Sequence, residues 1–187
     1  MKKVFSSGKL PMLKDLFILS CSAAFIGGFI TGESAFADNS DHHDQVACLS
    51  DNIYWEARNQ PTKGMIAVAL VTHNRVMDNR YPDTYCAVVE QGPTRPSWKD
   101  PSKHYPIRNR CQFSWFCDGK SDEIPEFDLD VYELAMIIAF KVMHGQTMED
   151  FTNGATHYHA IYVSPEWAES KTKTIQIKDH IFYRWEK

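Results

Sequence analysis

Four cysteines that follow the N-terminal segment constrain the fold of this chain more strongly than any other feature of its sequence. An even number of cysteines in an exported chain favours disulfides, and four cysteines allow three pairings. Because Cys111 and Cys117 stand close enough in sequence to close one small loop, we favour that pair, which leaves Cys48 with Cys86. The other two pairings remain open. A zinc site formed by all four cysteines is the rival interpretation, although no C-x2-C spacing supports it.

The N-terminal segment carries the pattern of a secretory signal. An apolar stretch at 16–30 precedes Ala35-Phe36-Ala37, which matches a small-x-small cleavage site. The basic residues before that stretch are Lys2, Lys3, Lys9 and Lys14. The apolar stretch is shorter than the roughly 20 residues that a spanning helix needs. We therefore predict a signal peptide at 1–37 and one domain at 38–187, exported to the periplasm, the extracellular space or the cell wall.

Two other interpretations of the N-terminus also send the domain across the membrane. The segment could remain as an uncleaved anchor, or Cys21 could carry a lipid. The lipoprotein interpretation fits less well, because the apolar stretch continues well past Cys21. After signal cleavage we expect no membrane association.

The chain after the signal is acidic, which excludes some electrostatic partners. Residues 38–187 contain 16 Lys and Arg and 22 Asp and Glu, a formal charge of −6. Such a chain has no electrostatic footprint for nucleic acid. Net charge does not favour anionic polymers either, so contact with one is expected to rest on shape and hydrogen bonds. We expect a monomer without a cofactor.

Hydrophobic periodicity predicts an α+β fold with a helical first half, a small β element and a β-rich C-terminal segment. After a polar, flexible start at 38–45, the predicted helices span 46–60, 62–79, 82–89 and 126–144. The predicted β segments are a short strand or hairpin arm at 111–117 and strands at 155–163 and 174–184.

Residues 92–110 are predicted to be a loop, because they include four prolines and five Lys or Arg residues. A loop of this length in a compact domain is often functional and could form one wall of a cleft. A tolerated surface insertion is an equally good interpretation.

Glu56 is the first candidate for chemistry. Val46, Leu49, Ile53 and Ala57 form an apolar stripe at helical spacing, and Glu56 lies about 60° from its centre. A carboxyl at the margin of a core is partly desolvated, which raises its pKa and lets it hold a proton for acid catalysis. From position alone, a surface glutamate in a salt bridge is the more ordinary interpretation.

His157 and His159 are the second candidate. Alternate residues of a strand share a face, so both imidazoles should point the same way. That arrangement suits a metal, although a zinc site needs a third ligand such as Glu56. It suits equally a polar face that lines a groove.

Other catalytic motifs are missing from the sequence. It contains no G-x-S-x-G or H-E-x-x-H motif and no phosphate-binding glycine loop. The cysteines are expected to be structural, which disfavours a thiol peptidase. The many aromatic residues could stack on sugar rings, although most are expected in the core.

Five segments stand out in order along the chain: YWEAR at 54–58, GMIAVALVTHNRV at 64–76, CQFSWFCDG at 111–119, GATHYHAIYVSPEWA at 154–168 and HIFYR at 180–184. Together they resemble the SleB-type cell wall hydrolases, which include the spore cortex-lytic enzymes. No single segment is a strong motif, but five in order at sensible spacing are. Together they cover nearly all of the chain after the signal.

The resemblance implies a lysozyme-like fold and cleavage of the bond between N-acetylmuramic acid and N-acetylglucosamine in peptidoglycan. It assigns the role of catalytic acid and base to Glu56, within the E-A-R motif, and it favours a lytic transglycosylase. Such an enzyme can use one carboxyl, whereas ordinary glycoside hydrolysis usually needs two. The residues that we expect to bind the sugar are Gln112, Phe113, Ser114, Thr156, His157, Tyr158 and His159.

Three features depart from the usual spore enzyme: no peptidoglycan-binding repeat, four cysteines and the Pro-rich loop at 92–110. They favour a periplasmic or phage-associated wall enzyme. Two alternative functions remain: a metal-dependent amidase or peptidase that uses His157 and His159, and a non-catalytic wall-binding module or regulator.

Overall fold

The computed structural model describes residues 34–146 and 149–186, with side chains from residue 41 onward. The signal-peptide prediction at 1–37 therefore lies almost entirely outside the described residues, as does Cys21. Within the described part, no helix is both long and apolar enough to cross a membrane.

Within the described residues, four α-helices form the first layer of the domain, with α1 at its centre. Their bounds are α1 Ser34–Ala57, α2 Thr62–Val76, α3 Tyr85–Val89 and α4 Leu129–Met143. Helix α1 packs against all three of the others. Its stripe behaves as predicted, because Leu49, Ile53 and Ala57 are fully buried. The four predicted helices are confirmed.

Helix α2 begins very close to the end of α1. Pro61 is the N-cap of α2, and its fixed φ of −63° suits the start of a helix. A Cβ atom at Gly64 would lie 2.9 Å from Gln60 Cβ, so this approach requires glycine. The contact holds the C-terminal end of α1, where Glu56 lies, against the start of α2.

The part of the chain that the structure describes also contains two small antiparallel sheets. Strands β1 (Thr94–Pro96) and β2 (His104–Pro106) form a hairpin within the predicted loop. Strands β3 (His157–Ala160), β4 (Thr172–Ile177) and β5 (His180–Arg184) form a sheet in the order β3-β5-β4.

One face of the three-stranded sheet packs on the helices. Phe182 of the central strand β5 is fully buried there, and Tyr158 of β3 is its cross-strand partner. Because side chains alternate along a strand, His157 and His159 lie on the opposite face from Tyr158. Tyr158 is therefore the residue of β3 whose side chain points toward α1.

Two disulfides join Cys48 of α1 to Cys86 of α3 and Cys111 to Cys117. This is the pairing that we favoured from the sequence. The first bond ties two helices together across a sequence separation of 38 residues. The second closes a short segment that lies beside the end of α1.

Three local predictions are wrong. The segment 174–184 is not one strand, because a turn at 178–179 divides it between β4 and β5. Residues 38–45 belong to α1 rather than to a flexible start. Residues 111–117 are not a strand, because Ser114–Cys117 forms a 3-10 helix. The disulfide explains this, since it holds the Cys111 and Cys117 Cα atoms 6.1 Å apart, whereas six extended residues would separate them by about 20 Å.

Candidate active site

Glu56 lies in the last turn of α1, at the meeting point of two cavities. A cavity of about 470 Å³ lies on the side of strand β3, and one of about 410 Å³ lies on the side of the disulfide-closed segment. Both are lined by Trp55, Glu56 and Arg58. We refer to them as the β3 cavity and the loop cavity. A polymer that runs through both would pass directly over the Glu56 carboxyl.

Burial gives the Glu56 carboxyl the electrostatics of an acid catalyst. Desolvation raises the pKa of Glu56, and this effect exceeds two opposing ones, the hydrogen bond from Tyr158 and the positive charge of Arg75. The Tyr158 hydroxyl donates to Glu56 Oε2 at 2.9 Å. Burial therefore favours the protonated carboxyl, whereas Tyr158 and Arg75 stabilise the carboxylate that forms when the proton leaves.

Arg75 of α2 is the buried cation of the site, and only 5% of the residue is exposed. Its Nε donates to the Thr156 carbonyl oxygen at 2.7 Å. Its guanidinium also lies 5.1 Å from the centre of the Phe113 ring and 5.4 Å from that of Tyr81. These contacts hold a positive charge close enough to Glu56 to lower the pKa of its carboxyl, and they link α2 to the start of β3.

The β3 cavity is lined by groups from three parts of the chain. Tyr158, His159 and Ala160 come from β3, while Asp179 and His180 come from the β4–β5 turn and the start of β5. Tyr162, which is 86% exposed, stands at the edge. An exposed aromatic ring beside polar groups is suited to stacking on the apolar face of a sugar.

The loop cavity is bounded by an indole pair. The rings of Trp55 and Trp115 stack with their centres 6.4 Å apart. Trp115 Nε1 donates to Asn52 Oδ1 at 3.0 Å, and the Asn52 amide in turn donates to the Thr72 hydroxyl at 3.1 Å. This buried chain of hydrogen bonds holds the Trp115 ring in a fixed orientation. Ser114 and two carboxylates, Asp118 and Asp122, also line the cavity.

Arg58 crosses the rim of both cavities. Its guanidinium lies 5.0 Å from the centre of the Trp55 ring, and Nη1 donates to the Tyr54 hydroxyl at 2.8 Å. The same nitrogen lies 3.5 Å from an Asp128 carboxylate oxygen. The side chain is thereby held on the cleft surface, where it can meet polar or anionic groups of a ligand.

The seven residues predicted to bind sugar divide into three groups. Tyr158, His159 and Ser114 line the cavities beside Glu56. Gln112 is exposed, and it does not line either cavity. The remaining residues are Phe113, Thr156 and His157.

Phe113 and Thr156 are each 3% exposed, so they support the site from beneath instead of offering a surface to a sugar. Phe113 packs with Val88 and Val89 in a second small core. Thr156 accepts the Arg75 hydrogen bond through its backbone, as described above. His157 is partly buried and lines neither of the two cavities.

His157 and His159 share a face, as predicted, and both contact Trp167 there. Burial lowers the pKa of His157 to about 3, with help from the nearby cations, so this ring stays neutral. His159 stacks on Tyr183 and shares a 3.0 Å hydrogen bond with its hydroxyl. No three His, Cys, Asp or Glu side chains in the described ranges are grouped to hold a metal.

The sequence interpretation missed Arg75, Arg58 and Trp115 as parts of the site. Arg58, Arg75 and Trp115 lie within the first, second and third of the five segments that carry the family resemblance. The sequence signal for Arg75 is its place in a mostly apolar helix. An arginine that is buried there almost always has a partner, which indicates a candidate site.

The fold and the sequence have known relatives. A family model described as Cell Wall Hydrolase matches residues 59–183, beginning three residues after Glu56. The catalytic domain of the Bacillus cereus SleB protein has a TM-score of 0.56 and 22% identity, over 76% of this chain and 91% of that one. The catalytic domain of the germination-specific lytic transglycosylase SleB from Bacillus anthracis has a TM-score of 0.54 and 22% identity, over 75% and 93%.

No curated protein sequence matches this chain. The two structural likenesses confirm the expected lysozyme-like α+β fold.

Proposed function

Because this chain belongs to the cell wall hydrolase family, we propose that it cleaves peptidoglycan glycan strands between N-acetylmuramic acid and N-acetylglucosamine, with Glu56 as general acid and base. The observation that carries this proposal is the placement of one partly buried carboxyl where two cavities meet. The two cavities suit the sugars on either side of a cleaved bond. The raised pKa of Glu56 suits the donation of a proton to that bond.

In the first step, Glu56 protonates the glycosidic oxygen. The bond from that oxygen to C1 of N-acetylmuramic acid breaks, and the N-acetylglucosamine side leaves with a free hydroxyl. The N-acetyl group of the substrate can stabilise the resulting positive centre at C1. The Tyr158 hydroxyl and the Arg75 charge support the carboxylate that is left behind.

In the second step, the Glu56 carboxylate takes the proton of the sugar's own 6-hydroxyl. The freed oxygen attacks C1 and closes a 1,6-anhydro ring, which returns the carboxyl to its starting state. A single carboxyl is enough for this lytic transglycosylase route, because no second group has to activate water. Water as the acceptor would instead call for a second carboxylate, for which Asp118, Asp122 and Asp179 are available in the cavity walls.

The two disulfides suit work outside the cytoplasm, where such bonds persist. We propose that the mature enzyme acts in the periplasm or the extracellular space, as a monomer and without a membrane anchor.

The test is mass spectrometry of the soluble products that the exported protein releases from purified peptidoglycan. We expect anhydro-muropeptides from the parent and at least about 100-fold less product from Glu56→Gln, the usual scale for loss of a general acid. Glu133→Gln, a neutralisation on the exposed side of α4, is the matched control and should keep full activity.

Products other than anhydro-muropeptides would each contradict a different part of the proposal. Reducing-end muropeptides would keep the bond and make water the acceptor. Peptides released without glycan cleavage would point to an amidase or peptidase. Near-normal activity in Glu56→Gln would remove Glu56 from the mechanism.

A further inference from the structure

Positive charge is concentrated in the segment that carries hairpin β1–β2. Residues 92–110 contain five Lys or Arg and one Asp, a formal charge of +4. The rest of 38–187 contains 11 Lys or Arg and 21 Asp or Glu, a formal charge of −10. The net charge of 38–187 is negative and does not favour an anionic polymer. Segment 92–110 nevertheless forms a basic surface on this acidic protein.

The same hairpin exposes aromatic rings. Trp98 is 87% exposed and Tyr105 is 53% exposed. Arg95 of β1 pairs directly with Tyr105 of β2, and Lys99 Nζ lies 5.1 Å from the centre of the Trp98 ring. A shallow cavity of about 480 Å³ lies among them, lined by Arg95, Pro96, Ser97, Trp98, Lys99 and Tyr105. Exposed rings of this kind, mixed with cations, are typical of an interaction surface.

The base of the hairpin is fixed to the wall of the loop cavity. Arg108 Nε donates to the Asp118 carbonyl oxygen at 2.8 Å, and the Asn109 amide donates to the Cys117 carbonyl oxygen at 3.0 Å. Asp118 itself lines the loop cavity together with Glu56. A Cβ atom at Gly92 would lie 3.0 Å from Cys111 Cα, so the hairpin packs closely on the disulfide-closed segment. The basic surface and the cleft are thus parts of one continuous structure.

We propose that hairpin β1–β2 is a docking arm for the glycan strand, on the side of the loop cavity. Arg95 and Lys99 bind carboxylates of the peptide stems, and Trp98 and Tyr105 stack on sugar or peptide groups of the same strand. This inference rests on the proposed function, since it takes the strand cleaved at Glu56 as its ligand. An anionic lipid surface would share the charge, but it would not explain a cavity between Arg95 and Tyr105.

The test measures cosedimentation of the exported protein with purified peptidoglycan sacculi, in a Glu56→Gln background so that the ligand stays intact. We expect the double variant Arg95→Gln/Lys99→Gln to bind about fivefold more weakly, the scale of one or two exposed ion pairs. We expect a similar loss for Trp98→Ala, from the lost aromatic contact. The charge variant should also show a weaker dependence of binding on salt.

Matched variants control for general effects of charge and exposed aromatic area. Lys141→Gln/Lys173→Gln removes two exposed cations from α4 and β4, and Phe127→Ala removes an aromatic side chain that is 83% exposed. Both should bind sacculi within twofold of the parent. On glycan strands whose peptide stems have been removed by an amidase, the Arg95→Gln/Lys99→Gln defect should disappear while the Trp98→Ala defect persists.

Equal binding by the hairpin variants and the parent would overturn the docking arm, as would an equal loss in the Lys141→Gln/Lys173→Gln control. Normal sacculus binding with weakened binding to phosphatidylglycerol vesicles would overturn it in favour of a membrane surface. Failure of the proposed function is separate, because it is measured by the products of the parent enzyme. A hairpin-dependent binding defect without glycan products would support the docking arm and reject the glycosidase.

Discussion

The Tyr158 hydroxyl donates a 2.9 Å hydrogen bond to Glu56 Oε2 and so joins β3 to the end of α1 across 102 residues of sequence. This bond favours the carboxylate and lowers the pKa of Glu56 against the larger effect of burial. It therefore acts on the anion that forms when Glu56 gives up its proton. Tyr158 is in this sense a positioning residue, whose contribution should be greatest after the proton has left.

Tyr158→Phe should lower kcat about tenfold, since a hydrogen bond to a charged group contributes about 1.5 kcal/mol. It should also move the basic limb of the kcat/KM profile to higher pH, because the Glu56 carboxyl loses a group that favours ionisation. The measurement is the rate of muropeptide release across pH. Tyr85→Phe is the control, because it removes a buried phenol that contacts His73 at 2.7 Å and lines neither cavity. A Tyr158→Phe profile with an unchanged or lowered basic limb would contradict this role.

Arg75 should act on Glu56 through its charge. Arg75→Met removes a cation that lowers the pKa of Glu56, so the basic limb should move to higher pH. Arg75→Lys keeps the charge and should leave the limb in place, although it also loses the Nε bond to Thr156. Both variants should lower the free energy of unfolding by about 2 kcal/mol, because a buried carbonyl oxygen loses its donor. Identical pH profiles for the two variants would show that Arg75 has a structural role alone.

The Glu56 carboxyl should reduce stability at neutral pH. Burial raises its pKa above that of the unfolded chain, so the folded protein binds more protons between the two pKa values. The free energy of unfolding therefore falls as pH rises through that window and stays lower above it. Glu56→Gln removes this penalty, so its Tm should exceed that of the parent at pH 7.

The difference in Tm between Glu56→Gln and the parent should vanish below about pH 4, where the carboxyl is largely protonated in both states. Thermal unfolding followed by circular dichroism at several pH values checks this, with Glu133→Gln as the control for loss of a surface carboxylate. A Glu56→Gln variant that is less stable than the parent at pH 7 would mean that the fold stabilises the carboxylate.

The sequence predicted elements whose signals are local. The apolar stripe of Leu49, Ile53 and Ala57 predicts helix α1. Because the helical period fixes the side on which each residue lies, it also predicts that Glu56 lies at the margin of the stripe. Strand period likewise predicted that His157 and His159 share a face. It could not predict which face of β3 meets α1, because that depends on how the sheet packs. Tyr158, which makes the contact, was one sugar-binding candidate among seven.

Other features of the fold and of the site do not follow from local signals in the sequence. Strand-like alternation in 111–117 was overridden by the disulfide, a constraint that depends on a bond and not on propensity. The prolines of the basic segment 92–110 predict a loop, and they give no sign of the short β1–β2 hairpin that forms within it. Arg75 stands in a mostly apolar helix, but its burial depends on how α2 packs and does not follow from the sequence.

The disulfides provide the last prediction. The mature protein without residues 1–37 should contain no free thiol, since all four of its cysteines are paired. Replacing Cys48 and Cys86 by alanine should lower the free energy of unfolding by about 3–4 kcal/mol, whereas replacing Cys111 and Cys117 should lower it by about 2 kcal/mol, because the longer loop restricts the unfolded chain more.

Replacing Cys111 and Cys117 should reduce activity more than replacing Cys48 and Cys86, although it should reduce stability less. The Cys111–Cys117 bond closes the segment that carries Ser114 and Trp115, which line the loop cavity beside Glu56, whereas neither Cys48 nor Cys86 lines either cavity. Thiol titration of the denatured mature protein, urea unfolding and muropeptide release together check these points. Two or more titratable thiols would contradict both the pairing and the inference that the enzyme works outside the cytoplasm.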